Sequence, residues 1–210
     1  MRIKDSSSLV RWLRDKLSSC IFTLRTVRGG GEVFGDEGLW SIHGVELTHL
    51  RDVDLILVFD DVDRVVDEYA FVALKIDYMD KKSDLDGKFL SALKGFELLV
   101  KLYELGFDAV VLWHYFDWEV EEDVVRSFCS KVGEAVEKLP LPVIYLATKA
   151  LNSRVFKIFK PFEVDSRSDV SSIAQWMSNV VRDYGRNPLL IAGGDVVQRR
   201  ALLRGALGLT

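Results

Sequence analysis

Three charged residues inside an otherwise apolar β-hairpin constrain this chain more than any other feature. Residues 53–59 and 69–78 are rich in β-branched and aromatic side chains, which favour strands, and a charged segment separates the two runs. Asp54, Lys75 and Asp77 lie within these runs. Charges in buried strands are costly unless they are paired or functional. The hairpin is therefore the centre of the predicted fold and of any functional hypothesis.

The composition is that of a folded protein with a large core. At 210 residues the chain has the length of one domain, with 49% hydrophobic residues, 29% charged residues and a net charge of -4. Asn and Gln are very scarce while charged residues of both signs abound, a bias typical of thermophilic proteins. The acidic balance argues mildly against a general nucleic-acid coat protein, which needs clustered Lys and Arg. It leaves room for an enzyme with a local basic track.

The cysteines and the length of the apolar runs indicate in which cellular compartment the protein is found. Cys20 and Cys129 have no local partner and no metal-ligand spacing, which favours a reducing environment over a disulfide framework or a structural zinc site. No apolar h-region follows Met1, and the longest apolar runs are far shorter than the ~20 residues that span a bilayer. We therefore expect a soluble, cytoplasmic protein without a membrane partner.

The spacing of apolar residues predicts an α/β domain. Helices are predicted over residues 5–19, 88–105, 119–138, from 168 or 169 to 183, and from 195 onward. Besides the hairpin, strands are predicted over residues 20–28, 107–116, 143–148 and, as an edge strand, 155–163. Early antiparallel strands followed by β-α-β crossovers predict three layers, with a mixed sheet between helices on both faces. We place an α/β core at residues 1–165 and a C-terminal helical extension, packed on the core, at residues 166–210.

Two short motifs lie in the hairpin. Val53–Leu57 (VDLIL) carries an acid, and Val72–Lys75 (VALK) ends in a lysine. Together with the first predicted helix and strand and the helix and apolar strand that follow, they resemble the core of the PD-(D/E)xK, or restriction-endonuclease-like, nuclease superfamily. Ala73 stands where this family has its second acid. The resemblance implies a divergent Mg²⁺-dependent nuclease that acts on DNA or RNA phosphodiesters, with carboxylates on the metal at ~2.0–2.1 Å.

Asp77 offers a replacement for the missing acid. Side chains alternate along a strand, so Ala73, Lys75 and Asp77 share one face. If the hairpin is symmetric about residues 65–66, Asp54 and Asp77 lie directly opposite each other, with Cβ atoms ~5 Å apart. The resemblance then implies that Asp54, Lys75 and Asp77 are the catalytic residues, with both acids on Mg²⁺ and Lys75 stabilising charge on the phosphate. The alternative interpretation is a buried or edge ion-pair set in a domain without activity.

Other charged residues extend the hypothesis beyond the hairpin. Lys94 and Glu97, on the helix that follows, are candidates for facing the same site. The best local basic track consists of Lys149, Arg154, Lys157 and Lys160. We predict that this track guides a nucleic-acid backbone, because phosphate contacts need clustered cations. A homodimer or a protein partner is also compatible with the resemblance.

Several alternatives remain open. The same fold with an inactive site would serve as a scaffold or partner subunit of a nucleic-acid processing complex. A Rossmann-like module would bind a small anion at Gly193–Asp195, although a capped helix start is the more ordinary interpretation. His114 is either a general base, a stacking surface for a nucleobase or, more commonly, a core histidine. His43 and His49 lack a third ligand at metal spacing, which favours a structural role.

Overall fold

The structure is a computed structural model that describes residues 3, 5–20, 24–33, 53–60, 69–152, 154–161, 163–184, 187–191 and 193–209. The helices are α1 (Ser6–Leu17), α2 (Gly30–Val33), α3 (Leu85–Glu104), α4 (Glu122–Val136), α5 (Val170–Tyr184) and α6 (Gly194–Ala206), with a 3₁₀ turn at Pro188–Ile191. The strands are β1 (Leu24–Gly29), β2 (Leu55–Asp60), β3 (Tyr69–Met79), β4 (Ala109–Phe116), β5 (Val143–Ala150), β6 (Phe156–Lys160) and β7 (Val164–Ser168).

A single mixed sheet of seven strands follows the order of the chain, from β1 to β7. The first three strands pair antiparallel, so β2 and β3 form the predicted hairpin. Helices α3 and α4 then provide the crossovers that make β3, β4 and β5 parallel. The last two strands return antiparallel. Every residue of β4 is buried, as its continuous apolar sequence predicts for a central parallel strand.

Helices cover both faces of this sheet, which confirms the predicted three-layer α/β class. On one face, α1 and α5 pack on alternate residues of β3 such as Val72 and Leu74. On the other face, α6 and part of α3 pack on Phe71 and its neighbours, and α4 packs over Phe116. Since side chains alternate along β3, Lys75 and Asp77 point to the same face as Phe71. None of the helices in the described part of the chain combines the length and the hydrophobicity that a membrane-spanning helix needs.

Local capping explains where the principal helices begin. Asp5 and Ser8 form a capping box at α1, with the Ser8 N–H donating to Asp5 Oδ1 at 2.7 Å. Asp84 accepts from the Gly87 N–H at 3.1 Å, so α3 begins at Leu85, three residues before the predicted start. This earlier start adds almost a turn to the helix that faces the charged hairpin.

The C-terminal part differs from the prediction in one strand. The sequence predicts an edge strand within residues 155–163, but β7 adds to the sheet beyond β6 and takes the edge. Its sequence, VDSRS, is short and polar, so it lacks the apolar alternation that identifies a strand. The predicted domain boundary after residue 165 falls inside β7. Beyond it, α5 packs on the α1 face and α6 packs on the opposite face.

Candidate functional site

The register between β2 and β3 determines which charged residues meet. Leu55 pairs with Leu74, and the Asp54 N–H donates to the Leu74 carbonyl at 3.0 Å, so Asp54 lies beside Lys75. The predicted pairing of Asp54 with Asp77 is therefore wrong by two residues. A two-residue shift leaves every side chain on the same face, so the apolar pattern cannot distinguish the two registers. Asp77 takes the diagonal position on the face that Asp54 and Lys75 share.

Asp54 is held by one lysine and one backbone amide. Its Oδ2 lies 3.2 Å from Lys75 Nζ and accepts from the Ile76 N–H at 2.7 Å. Burial raises the pKa of Asp54, and the Lys75 ammonium and the amide, which both lower the pKa, do not fully offset burial. The protonated form of Asp54 is therefore favoured more than in a solvent-exposed aspartate.

Asp77 connects the hairpin to α3 and β4. Its Oδ1 lies 3.4 Å from Lys88 Nζ at the start of α3, and its Oδ2 lies 3.8 Å from His114 Nε2. The parallel register places Asp77 beside His114. A separation of 3.8 Å is longer than a hydrogen bond. Asp77 therefore has Lys88 as its close cation, and His114 lies just beyond hydrogen-bond distance.

His114 is fully buried and belongs to the core, as the more common interpretation of its sequence position predicts. Its ring packs edge-on to Phe128 with centroids 5.0 Å apart, and its Nδ1 lies 3.1 Å from the Tyr145 hydroxyl. Burial lowers the pKa of His114 to about 4, with nearby Asp77 raising it and Lys88 lowering it. The ring is therefore neutral at neutral pH. Its Nε2 is buried and has no hydrogen-bond partner among the residues that the structure describes.

A cleft of about 520 Å³ lies between α3 and the sheet beside these residues. Lys75 and Asp77 line it from β3, and Leu112 lines it from β4. Lys94 and Glu97 line it from α3, which confirms the prediction that they face the same site. The side chains of Lys75 and Asp77 remain 33% and 17% exposed, so both are accessible from the cleft. A ligand in this cleft can therefore reach Lys75 and Asp77.

The predicted basic track lies elsewhere, near α4. Lys149 pairs with Lys157 across β5 and β6, two and three strands away from β3. Lys157 Nζ contacts Glu122 at 2.8 Å and Glu163 at 3.2 Å, so its charge is matched locally. The structure does not bring this track to the Asp54–Lys75 pair. Its role in nucleic-acid binding stays a prediction.

The sequence does not single out every neighbour of the site. Lys88 is simply the first residue of a predicted helix, and Tyr145 is part of a predicted buried strand. Both reach the site because parallel β4 and β5 and the start of α3 converge at the end of β3 that carries Asp77. A lysine at the start of a predicted helix that follows a charged strand is the available signal for Lys88. Nothing in the sequence indicates Tyr145.

The remaining candidates are the two glycines at the start of α6 and two histidines of the sequence. Gly193 and Gly194 begin α6, and a Cβ atom added to either would meet no described atom within 4 Å, so the described residues form no close cradle for an anion around them. His43 and His49 lie outside the described residues. Within the described ranges, no group of three or more His, Cys, Asp or Glu side chains is arranged to hold a metal ion.

Comparison of this chain with protein-family profiles, with curated proteins and with solved structures gives no significant match. The functional hypothesis therefore depends on the site itself and on the order of the elements. From α1 to β4, leaving aside the four-residue α2, that order is one helix, three strands, one helix and one strand, with Asp54 just before β2 and Lys75 within β3.

Proposed function

We propose that this protein is a divergent nuclease-like protein that acts on the phosphodiester backbone of DNA or RNA. The observation that carries the proposal is the contact between Asp54 and Lys75, with Asp77 beside them, where β3 meets an open cleft. The order of helices and strands around this contact supports it, because it is the order on which the resemblance to PD-(D/E)xK nucleases is based. The site carries more weight than this order, since one fold can host many activities.

In this proposal Lys75 supplies the positive charge that a phosphoryl transition state needs. Its ammonium is partly exposed to the cleft and is held by Asp54, so it is positioned before a substrate arrives. Asp77 and Lys88 lie next to this pair and keep the local charge balanced. His114 stays neutral behind Asp77 and restricts the space that its carboxylate can occupy.

Asp54 and Asp77 fit a Mg²⁺ ion only in part. Burial raises the pKa of Asp54, so its ionised form would gain from a cation bound nearby. Two carboxylates are nevertheless few, although Mg²⁺ is often bound by one or two carboxylates together with substrate phosphates and water. When bound, the ion would polarise the phosphate and help to generate hydroxide. We therefore expect metal binding to depend on the nucleic acid.

A second candidate is a non-catalytic scaffold or partner subunit with the same fold. Ala73 at the motif position and the engagement of both acids by lysines favour it. In that case the Asp54–Lys75 pair is structural, and function lies in binding a protein partner or a second copy of the chain. Both cysteines are free thiols, which agrees with a reducing compartment, and we propose that the protein acts in the cytoplasm.

Cleavage assays separate the two candidates. Linear, flapped, branched and single-stranded DNA and RNA would be incubated with Mg²⁺ or Mn²⁺ at elevated temperature, with Lys75→Ala protein beside the wild type. We expect metal-dependent cleavage by the wild type and its loss in the variant. Lys131→Ala, an exposed lysine of α4, is the matched control and should cleave normally. If neither wild-type protein nor control cuts any substrate, the nuclease proposal fails and the scaffold remains.

A further inference from the structure

The shape of the cleft limits what can reach Lys75. Lys75 and Asp77 lie on the sheet, and α3 covers the sheet opposite them. A volume of about 520 Å³ is that of a small-ligand pocket, which takes a few chemical groups and not a rigid helix. Duplex DNA is stiff, with a persistence length of about 50 nm, so it cannot bend sharply into such a space. A single strand can, because its backbone is flexible and its bases are free to unstack.

The charges along the cleft suit a phosphate backbone. Lys94 and Lys101 both line it from α3, seven residues apart, which is about 10.5 Å along a helix. Neither lysine makes an ion pair in the described part of the chain, in contrast to Lys157 of the predicted basic track. Glu97 lies between them on the same side of the helix. With Lys75 and Asp77 the lining has three lysines and two acids, so it is locally positive in an acidic protein.

A glycine next to Lys94 leaves space in the wall of the cleft. Gly95 lies in the middle of α3, and a Cβ atom added there would meet no atom within 4 Å. Glycine in a helix interior costs about 1 kcal/mol relative to alanine, and packing does not require it here. Gly95 lines the cleft, so any side chain at this position would project into the space that a ligand needs.

We propose that the cleft between β3 and α3 binds single-stranded nucleic acid. One or two nucleotides enter beside Gly95, and Lys94 and Lys101, about 10.5 Å apart along α3, contact two phosphates of the strand. This inference names the substrate class of the proposed function and rests on it. It also replaces the predicted track on β5 and β6 as the path of the backbone, since Lys157 there is already paired with Glu122 and Glu163.

Fluorescence anisotropy in EDTA, where metal-dependent cleavage is absent, tests the inference. The probes are labelled single-stranded DNA, single-stranded RNA and a DNA duplex of the same sequence. We expect at least one single strand to bind roughly tenfold or more tightly than the duplex. Gly95→Leu should weaken that binding by roughly tenfold while the melting temperature stays the same or rises, because leucine favours a helix. The matched control is Gly205→Leu in α6, another helical glycine with open space around it, which should bind as the wild type does.

The lysines provide a second, independent arm. Replacing both Lys94 and Lys101 by Gln should weaken binding. It should also make the negative slope of log K against log salt concentration shallower, by about 0.7 for each phosphate that the protein no longer neutralises. The control pair is Lys131 and Lys138, exposed residues with the same spacing on and after α4, whose replacement should leave the slope unchanged. Duplex binding as tight as that of both single strands, or unchanged binding by Gly95→Leu protein, would overturn the inference.

The outcomes also separate this inference from the proposed function. Single-strand binding that Gly95→Leu removes, without cleavage when Mg²⁺ or Mn²⁺ is added, supports the cleft and contradicts the nuclease. Metal-dependent cleavage of a duplex by a protein that does not bind single strands supports the nuclease and contradicts the cleft.

Discussion

Two ion pairs lie toward opposite ends of β3, on the same face of the sheet, and they are built differently. Near the start of the strand, Arg200 of α6 donates to Asp108 Oδ2 and to the Tyr69 carbonyl, both at 2.9 Å. The Phe71 N–H also donates to Asp108 Oδ2 at 2.9 Å, and the guanidinium lies 4.4 Å from the Phe71 ring centroid. The side chains are 8% and 0% exposed. This group is closed, and its hydrogen bonds come from the protein itself.

Toward the other end of β3, the charged residues are only partly compensated. Asp54 has a raised pKa despite Lys75, and buried His114 Nε2 has no hydrogen-bond partner among the described residues. Lys75 is a third exposed to a cleft that α3 leaves open. Under our proposal this difference separates a structural pair, which the fold itself satisfies, from a functional one, which keeps some of its interactions for a ligand.

Loss of one partner at each end should show the largest difference. Arg200→Met leaves the Asp108 carboxylate buried without its cation, so we expect the free energy of unfolding to fall by about 3–5 kcal/mol. Lys75→Met leaves Asp54 partly exposed and still bonded to the Ile76 N–H, so we expect a loss of at most about 1 kcal/mol. Urea denaturation measures both values. Equal losses would mean that the open end is as structural as the closed end.

His114 should make the protein sensitive to acid. The folded pKa of about 4 lies below the unfolded value of 6.5, so the unfolded state binds more protons between these values and stability falls as the pH is lowered. The loss should reach about 3 kcal/mol near pH 4 and be absent above pH 6.5. Asp54, whose raised pKa acts in the opposite direction, reduces the net effect.

The His114→Gln variant isolates this contribution, because glutamine stays neutral and can still bond to the Tyr145 hydroxyl. Its unfolding free energy, measured by urea titration from neutral pH to pH 4, should depend less on pH than that of the wild type. Parallel profiles for the two proteins would show that His114 does not titrate as its buried position requires.

Replacing a carboxylate by its amide should give the smallest change at the open end. Since the folded pKa of Asp54 is raised, its ionised form opposes folding at neutral pH. Asp54→Asn removes that charge and keeps an oxygen for the Ile76 N–H, so the free energy of unfolding should stay the same or rise by up to about 1 kcal/mol. Cleavage should be lost. The matched variant at the closed end, Asp108→Asn, should instead lose about 3 kcal/mol or more, because buried Arg200 is left beside a neutral amide. Calorimetry measures both variants, and an Asp54→Asn protein less stable than Asp108→Asn would contradict the comparison.

Much of the fold follows from the sequence because its elements are strongly periodic. The leucines of α1, the long apolar face of α3 and the continuous apolar run of β4 each predict the element that the structure contains. The order of these elements then predicts a mixed sheet between two helical layers. The polar strand β7 escapes prediction, because its pairing depends on β6 and not on an apolar pattern of its own.

The site is harder to predict than the fold. The alternation of side chains along a strand indicates that Asp54, Lys75 and Asp77 share a face. The positions of Lys94 and Glu97 on the following helix indicate that they face the same site. The partner of each acid depends on the register between neighbouring strands. Side chains alternate with a period of two, so a shift of two residues keeps the apolar pattern and the sequence does not determine the register. Asp54 therefore pairs with Lys75, and Asp77 meets Lys88 and His114. The resemblance to PD-(D/E)xK nucleases stays a hypothesis.

The most direct test of the open end is a titration with Mn²⁺ in which electron paramagnetic resonance measures the bound ion. It is carried out with and without a single-stranded oligonucleotide. Lys75→Ala protein would be used, so that the strand stays intact. We predict that the oligonucleotide tightens Mn²⁺ binding by roughly tenfold or more, that Mg²⁺ competes, and that adding Asp54→Asn removes the effect. An Mn²⁺ affinity that does not change when the oligonucleotide is added, or that persists without the Asp54 carboxylate, would contradict a metal-assisted phosphodiester site at this end of β3.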